Sequence, residues 1–371
     1  MVNQVDTFDV AISGAGPAGS LAAILAAEAG LSVVLIEKRE LPRTKACGGL
    51  VSSAALSLLP ADLPLETICA KSVSTIKVLK RNKEYQYFEQ NNLGLLLKRS
   101  DFDFLLTQYA QSKGVVLREN STVKRITRIN KPGKNNYLYS LDFDNSNVRR
   151  IVSRYFIGAD GARGNSAILC GLRRNRPTLA GLGLTRIDEN NAGANINADL
   201  IFYPLPSLGG IYWAFRGNGW TNEGIAGLAS QARLRKTFAE ITSSPLSLIG
   251  LQAWPLPFLG PLLKPGAKSA MLIGDAAGLV DPFSGEGLHN SLLSAILVIK
   301  AITEAERNKS EASSVYEKYY HNYFRRRFTP AFARAVYLHA RTLVLPSLLP
   351  QTIASLMLPR KSIINIFNNK Q

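Results

Sequence analysis

The sequence predicts an α/β fold in which a strand–helix–strand domain is interrupted by an antiparallel sheet and followed by a helical C-terminal arm. Three observations support this prediction. A glycine-rich turn near the N-terminus joins an apolar segment to an alanine-rich one. Two later apolar segments end in turns of small residues and aspartate. The stretch between them is rich in large apolar residues with proline and glycine turns, and 46% apolar residues in a 371-residue chain can fill the cores of two domains.

The first predicted unit begins with the apolar segment Phe8 to Ser13, whose sequence FDVAIS indicates a buried strand. The turn Gly14-Ala15-Gly16-Pro17-Ala18-Gly19 follows at once. Ser20 to Ala29 then predicts a helix that Gly30 stops, and Ser32 to Glu37 predicts the next strand. The result is one strand–turn–helix–strand unit.

The residues of this turn are those that a dinucleotide site needs. Gly14 permits the tight turn, Gly16 lets the backbone approach a pyrophosphate, and Gly19 lets the helix pack close to the sheet. The helix N-terminus presents unpaired N–H groups and the positive end of a dipole to the phosphates. Glu37 lies 18 residues after Gly19, where a carboxylate accepts hydrogen bonds from ribose hydroxyls. The unit predicts a dinucleotide ligand, and alone it does not choose between NAD and FAD.

Two later turns distinguish these cofactors. Tyr155 to Arg163 reads YFIGADGAR, an apolar strand that ends in Gly158-Ala159-Asp160-Gly161. Ala270 to Asp275 reads AMLIGD, again a strand that ends in glycine and aspartate, and a loop and a helix follow it. The three turns, in this order and at about these positions, resemble those of the p-hydroxybenzoate hydroxylase-like FAD superfamily.

This resemblance implies a Rossmann-like FAD-binding domain. It implies that Asp275 contacts the ribityl chain, that Asp160 lies close to the cofactor, and that the helix after the third turn points its N-terminus at the flavin ring. The stretch from Lys98 to Asp103 matches the family's basic-then-FD element, which implies that Arg99 contacts FAD. The predicted cofactor-binding residues are Gly14, Gly16, Pro17, Ala18, Gly19, Glu37, Lys38, Arg43, Cys47, Gly48, Gly49, Arg99, Asp160, Gly161, Gly274, Asp275, Gly285, Glu286, Gly287 and Leu288.

One branch of the superfamily fits the sequence better than the others. Arg43 to Leu50 (RTKACGGL) resembles the RxKxCGG stretch of geranylgeranyl reductases, and the DPFSGEG loop that contains Gly285-Glu286-Gly287 resembles that branch as well. These enzymes saturate carbon–carbon double bonds of isoprenoid chains with hydride from flavin N5. The resemblance implies that Cys47 lies at the substrate face. The chain has no second GxGxxG, so we expect the electron donor, NADPH or ferredoxin, to bind transiently.

The substrate side is predicted to be a slot with apolar walls. Tyr212 to Arg216 (YWAFR) resembles the family's YxWxFP element, although the tyrosine is adjacent to Trp213 rather than two residues before it, and Arg216 replaces the proline. Trp213 and Phe215 are carried over as slot wall, and Tyr212 is not carried over in the same way. The predicted catalytic residues are therefore Cys47, Trp213 and Phe215.

The C-terminal arm is strongly basic. The chain has a formal charge of +17, and residues 318–371 contain nine Lys or Arg and no Asp or Glu. We expect the arm to lie on an anionic membrane surface and to give a lipid substrate access to the slot; the alternative is a helical cover packed on the FAD domain. No recognition module for nucleic acid is present. The sequence contains no apolar stretch of about 20 residues, the length that a membrane-spanning helix needs.

The predicted organisation is an FAD-binding domain over 1–170 and 266–315, a substrate domain over 171–265 with a contribution from 70–97, and the arm over 316–371. Three scattered cysteines predict neither disulfides nor a metal site, and a cytoplasmic protein without a signal peptide, peripheral on the membrane, is expected. The predicted function is an FAD-dependent prenyl-chain reductase. A monooxygenase of the same superfamily is the chief alternative. A halogenase is disfavoured because that branch carries a Trp-x-Trp-x-Ile-Pro element, which this sequence lacks. A flavin subunit that passes electrons to quinone would need a partner or the cysteines of an iron–sulfur cluster, and three scattered cysteines do not supply a cluster.

Overall fold

The structure is a computed structural model that describes residues 5–80, 83–130, 137–144, 150–173, 181–189, 198–243, 249–256, 264–281, 285–325 and 328. The chain forms two compact units. Unit 1 takes residues 1–43, 103–178 and 257–332. Unit 2 takes residues 44–102 and 179–256, together with 333–371, which lie outside the described residues.

Unit 1 is built on an eight-stranded sheet with a parallel centre. Its order is β15-β16-β9-β1-β2-β6, and β7 and β8 extend it in antiparallel fashion from β9. Strand β1 pairs in parallel with β2 and β9, and all four residues of β2 are buried, as expected for strands covered on both faces. The strands are β1 (Asp6–Ser13), β2 (Val33–Ile36), β6 (Val116–Arg118), β7 (Val123–Asn130), β8 (Tyr137–Phe143), β9 (Ile151–Gly158), β15 (Gly266–Ala267) and β16 (Ala270–Leu272).

The helices of unit 1 are α1 (Pro17–Glu28), α4 (Ser166–Leu169), α6 (Leu288–Asn308) and α7 (Ala312–Tyr320), and α3 (Arg99–Ser112) runs from the last residues of one segment of unit 2 into unit 1. Helix α1 begins with proline, whose fixed φ suits the first helical position. By length and composition α6 could cross a membrane, but 78% of its apolar window is buried inside the protein. The sequence did not suggest this helix as a span because Asn290, Ser291 and Ser294 interrupt its apolar residues.

Helix α7 belongs to the core of unit 1. Tyr316 and Tyr320 are completely buried, and their hydroxyls donate to the carbonyl oxygens of Leu272 (2.9 Å) and Ala277 (2.8 Å). The first residues of the segment 316–371 are therefore packed against β16 and the turn that follows it. A short π-helical turn, His321–Arg325, continues α7.

Unit 2 is an eight-stranded sheet in the order β14-β10-β13-β12-β11-β4-β5-β3. Its neighbouring strands pair in antiparallel fashion except β11 and β4, which are parallel. The strands are β3 (Leu50–Ser52), β4 (Lys71–Lys80), β5 (Lys83–Leu96), β10 (Gly181–Asp188), β11 (Leu200–Leu205), β12 (Gly210–Arg216), β13 (Thr221–Gly227) and β14 (Gln252–Leu256), and the helices are α2 (Ser53–Leu56) and α5 (Gln231–Thr242).

The two faces of this sheet have separate cores, because successive side chains of a strand point to opposite faces. One face, the helix face, packs Tyr212 and Ile225 against Leu234 and Phe238 of α5. The other, the aromatic face, gathers Phe202, Trp213, Phe215 and Trp220 with aliphatic residues of β4, β5 and β11. The predicted fold class is confirmed: a Rossmann-like domain, an antiparallel sheet inserted in it and helices toward the C-terminus.

Candidate functional site

The glycine turn of unit 1 contains two glycines that the fold requires and one that it does not. A Cβ at Gly14, which has φ +108°, would overlap the carbonyl oxygen of Ala159 and lie 2.9 Å from the Asp160 Cα. A Cβ at Gly19 would overlap the carbonyl oxygen of Gly14. A Cβ at Gly16 would meet only the Arg43 guanidinium, at 3.7 Å. The space in front of Gly16 is open, and the N-terminus of α1 faces the same turn.

The three predicted turns converge in unit 1. The Gly14 turn packs on the Ala159-Asp160 backbone, as the overlap described above shows. A Cβ at Gly274 would lie 3.2 Å from the Ala18 Cβ, so the third turn lies beside the first turn of α1. Gly274 has φ +57°, and its N–H donates to the Ser294 hydroxyl of α6 at 3.0 Å. Segments more than 100 residues apart therefore meet at one edge of the parallel sheet.

A carboxylate and a guanidinium flank this turn. Glu37 is 4% exposed; its Oε2 accepts from the Ala15 N–H at 3.1 Å, and its Oε1 accepts from the Arg39 N–H at 3.2 Å. The Arg43 Nε lies 3.4 Å from Glu37 Oε2, and Arg43 Nη1 lies 3.5 Å from Asp103 Oδ2. Two buried carboxylates thus hold the cation near Gly16, which suits a pyrophosphate. Lys38, in contrast, is exposed.

Asp160 is a buried carboxylate with a structural role in the second turn. Its Oδ2 accepts from both the N–H and the hydroxyl of Ser166 at 2.8 Å, at the start of α4. Its Oδ1 is buried and has no hydrogen-bond partner among the described residues. Burial raises the pKa of Asp160 above its ordinary value. Gly161, with φ +76°, has no described neighbour within 4 Å of its Cβ position, so the turn leaves this backbone open.

The third turn and the start of α6 enclose Asp275. A Cβ at Gly287, the residue before α6, would lie 3.2 Å from Asp275 Oδ1. The loop folds back on itself, since the Asp281 N–H donates to the Glu286 carbonyl and the Gly285 N–H donates to the Asp281 carbonyl. Leu288 is the first residue of α6. Residues 282–284 of the DPFSGEG loop lie outside the described residues.

In unit 2, residues 44–50 form a strap that crosses the aromatic face of the sheet. Lys45 Nζ lies 5.5 Å from the ring centroid of Trp254 on β14, and the Cys47 carbonyl accepts from Asn222 of β13 at 2.8 Å. A Cβ at Gly48 would lie 2.6 Å from Phe215 Cε2 on β12. Gly49 has φ +85° and no room for a Cβ beside the Leu97 carbonyl. The strap therefore needs both glycines, one for contact and one for conformation.

The strap places Gly48, next to Cys47 in the chain, beside Trp213 and Phe215, so the three residues of the predicted catalytic set lie in one region of unit 2. The Trp213 indole lies over Gly224, where any Cβ would overlap it, and its Nε1 donates to Asn222 Oδ1 at 2.9 Å. The Phe215 ring stacks edge-on with Phe202, with centroids 5.2 Å apart. Cys47 is a half-buried free cysteine.

Tyr212 lies on the opposite, helix face. Its hydroxyl donates to Glu223 Oε1 at 3.0 Å, and burial, followed by the charge of Glu223, raises its pKa. The adjacent placement of Tyr212 and Trp213 forces this result, since neighbours in a strand point to opposite faces. Ile211, two residues before Trp213, takes the position that the family's tyrosine has in the YxWxFP pattern.

Sequence reasoning missed Asn222, Gly224 and Thr185. All three come from strand interiors, and the Thr185 hydroxyl donates to Asn222 Oδ1 at 3.0 Å. Asparagine and glycine are depleted in strands, so the pair in TNEGIAG was the available signal. Arg99, predicted as an FAD contact, is 7% exposed at the start of α3.

Comparisons with known proteins agree with this geometry. Residues 7–183 match the family model described as FAD binding domain. The chain is 28% identical over 332 residues to digeranylgeranylglycerophospholipid reductase 1 of Methanococcoides burtonii. The aligned region covers 85% of this chain and 79% of that protein. The fold resembles a geranylgeranyl bacteriochlorophyll reductase-like protein from Thermoplasma acidophilum, with a TM-score of 0.77 at 22% identity over 95% of this chain and 91% of the other.

A probable FAD-dependent monooxygenase from Pseudomonas aeruginosa has the same fold, with a TM-score of 0.70 at 17% identity over 90% of this chain and 96% of the other. Fold alone therefore does not separate reductases from monooxygenases. The matched domain and the open cradle over Gly16, between Glu37 and Arg43, fit FAD. The chain therefore contains an FAD binding domain and is similar in sequence to proteins named digeranylgeranylglycerophospholipid reductase.

Proposed function

We propose that this protein saturates carbon–carbon double bonds in the geranylgeranyl-type chain of a lipid, with reduced FAD as the hydride donor. One observation carries the proposal: the CGG strap lies directly on the aromatic face of unit 2, against Phe215 and Trp213. The sequence relatives named as digeranylgeranylglycerophospholipid reductases support it.

The residues of unit 1 are proposed to hold the cofactor. FAD, when bound and reduced, would supply hydride from N5 to one alkene carbon, and the other alkene carbon would take a proton. The open backbone at Gly16 and the N-terminus of α1 bind the pyrophosphate, with Arg43 as its cation. Glu37 accepts hydrogen bonds from the ribose, and Asp275 contacts the ribityl chain. The N-terminus of α6, with the backbone of Gly285 to Gly287, stabilises negative charge on the reduced ring.

The aromatic face of unit 2 is proposed to bind the prenyl chain. An isolated alkene offers neither charge nor a strong hydrogen-bonding group, so binding has to come from apolar contact, at about 0.8 kcal/mol for each buried methylene. Trp213 and Phe215 supply such a surface, and Cys47 borders it on the strap. The transient electron donor is proposed to be NADPH or ferredoxin, and the protein is proposed to work in the cytoplasm at the membrane surface.

The test is a single-turnover reaction without oxygen. The photoreduced FAD protein is mixed with a digeranylgeranylglycerol phospholipid, and the lipid is analysed by mass spectrometry. We expect reoxidation of the flavin together with a gain of two hydrogens for each reduced bond. Flavin that stays reduced until oxygen is admitted, with a hydroxylated product, would establish the monooxygenase instead.

Paired variants locate the substrate face. Trp213→Leu removes an aromatic wall of the aromatic face, so we expect weaker binding of the lipid and a higher KM. Tyr212→Phe is the matched control, because Tyr212 is the adjacent residue on the helix face. Equal effects of the two substitutions on KM would contradict the assignment of the substrate to the aromatic face.

Membrane contact through the basic arm is a separate part of the proposal. Each cation close to an anionic surface contributes about 1 kcal/mol, and most of the arm's cations lie beyond the described residues. We expect the full chain to float with vesicles rich in anionic lipid and a chain that ends at Arg341 to float less. Equal flotation of both forms would remove residues 342–371 from membrane binding.

A further inference from the structure

A buried asparagine on β13 connects three separate segments of unit 2. Asn222 is 2% exposed. Its Oδ1 accepts from Trp213 Nε1 of β12 at 2.9 Å and from the Thr185 hydroxyl of β10 at 3.0 Å. Its Nδ2 donates to the Cys47 carbonyl of the strap at 2.8 Å. The amide therefore uses both of its ends, one as acceptor and one as donor.

An asparagine in this place calls for an explanation beyond sheet stability. Asparagine is depleted in strands, and burial of an amide is unfavourable unless its groups are hydrogen-bonded. A carboxamide offers an acceptor to an indole N–H and, from a second atom of the same short side chain, a donor to a carbonyl. Aspartate would keep the acceptor and lose the donor, and leucine, which has the same branching of side-chain heavy atoms, would lose both.

The bond to Trp213 completes a constraint that begins at Gly224. The Trp213 indole occupies the space that a Cβ at Gly224 would take, so the ring lies directly against the β13 backbone. Contact with a flat backbone does not determine how the ring turns within that plane, whereas a hydrogen bond at Nε1 does. The Cys47 carbonyl is held by the same amide, and Gly48 beside it contacts Phe215. The orientation of Trp213 and the position of the strap are thus set by one side chain.

We propose that Asn222 is a positioning residue that fixes the Trp213 indole and the Cys47–Gly48 backbone in register with each other and thereby determines which double bond of a prenyl chain is presented for reduction. This inference rests on the proposed function for its substrate. Asn222 itself acts through Trp213 and the strap. Two of the three hydrogen bonds of its amide make separable contributions, one to the ring and one to the strap.

Two substitutions separate these contributions. Asn222→Asp keeps the acceptor for Trp213 and Thr185 and removes the donor to Cys47, and Asn222→Leu removes both. Asn218→Ala is the matched control, since Asn218 also donates to a backbone carbonyl in unit 2, that of Ala70 at 3.0 Å, but lies in an exposed turn and makes this bond to a residue outside the strap. Three readouts are used on the FAD-loaded protein: the ¹⁵N-labelled indole N–H signal of Trp213, the alkylation rate of Cys47, and the positions of saturated bonds in the lipid product.

The expected pattern differs between variants. Asn222→Leu shifts the Trp213 indole signal, accelerates Cys47 alkylation and broadens the product pattern, because all of the amide's hydrogen bonds are lost. Asn222→Asp leaves the Trp213 indole signal unchanged and accelerates the alkylation of Cys47. Asn218→Ala changes none of the three.

An unchanged Trp213 signal and an unchanged product pattern in Asn222→Leu would overturn the inference. If Asn222→Leu does not fold, Trp213→Phe removes the same indole donor and must broaden the product pattern; an unaltered pattern there would equally overturn it. If the unsubstituted protein reduces no prenyl lipid, the proposed function fails, while the indole signal and the alkylation rate still decide whether Asn222 positions the ring and the strap.

Discussion

The glycine turn of unit 1 offers a substitution that separates folding from cofactor binding. Gly16 has φ −86° and ψ 177°, which alanine adopts readily, and a Cβ there meets only the Arg43 guanidinium at 3.7 Å. Gly16→Ala should therefore leave the apoprotein as stable as the unsubstituted one, or more stable by about 0.4–1 kcal/mol through a less flexible unfolded chain. Its methyl group would project into the open space assigned to the pyrophosphate.

The neighbouring Gly14→Ala should have the opposite effect. Its φ of +108° costs an L-residue about 1–2 kcal/mol, and overlap with the Ala159 carbonyl adds about 1–3 kcal/mol. The variant is expected to be less stable by about 2–5 kcal/mol even without FAD.

For Gly16→Ala, the loss of one charge-assisted hydrogen bond to the phosphates, about 1.5–3 kcal/mol, corresponds to a Kd for FAD that is about 10- to 150-fold higher.

Two measurements check this pair of variants. Urea unfolding of the two apoproteins gives the stabilities, and quenching of flavin fluorescence on titration gives the Kd for FAD. If Gly16→Ala binds FAD as tightly as the unsubstituted protein, the pyrophosphate does not lie in front of Gly16. If its apoprotein is as unstable as Gly14→Ala, the space there is not open.

Three further predictions concern stability and the aromatic face. Gly224→Ala forces Trp213 off the β13 backbone, so Trp213 fluorescence should shift, and an unshifted spectrum counts against the packing. Asp199 lies partly buried, which opposes ionisation, but Lys71 and the Ser74 and Thr75 donors lower its pKa to about 2. The stability it contributes is present above about pH 4 and lost as the pH falls toward 2, so Asp199→Asn should cost about 1–2 kcal/mol at pH 7 and progressively less below pH 4 in urea unfolding. Burial raises the pKa of Asp160, so ionisation of this carboxyl lowers the stability of the folded protein. The stability of Asp160→Asn relative to the parent should therefore rise with pH above about 4, and a pH-independent difference would refute this.

The cradle, the open space over Gly16 between Glu37 and Arg43, could be predicted from the sequence because its turns need glycine for local backbone geometry. Gly14, Gly19 and Gly274 stand where a Cβ has no room or where φ is positive, and these requirements are local to each turn. The nearness of the three turns followed from the superfamily resemblance, and their contacts in unit 1 agree with it. Which side chains face the ligand did not follow as easily. Asp160 Oδ2, for example, accepts from the N–H and the hydroxyl of Ser166.

The aromatic face could be predicted only in part, since it depends on pairing between distant strands. Trp213 and Phe215 were recognisable from their own strand. Asn222 and Gly224 became visible only through the register of β13 with β12, where Gly224 lies opposite Trp213 and Asn222 opposite Phe215. No periodicity within one segment contains that information. For the same reason the sequence did not indicate that residues 44–69 belong to unit 2.

The two tyrosines of α7 have a practical consequence for the design of shortened proteins. Their hydroxyls satisfy main-chain oxygens on either side of Gly274 and Asp275, and Phe324 and Phe328 continue the same buried aromatic row, with ring centroids 6.5 Å apart. Cutting the chain before this row would strip acceptors in the cofactor domain of their donors, at about 1–3 kcal/mol for each buried group. A deletion intended to test lipid attraction would then report flavin loss instead. A shortened protein should therefore end well after Phe328.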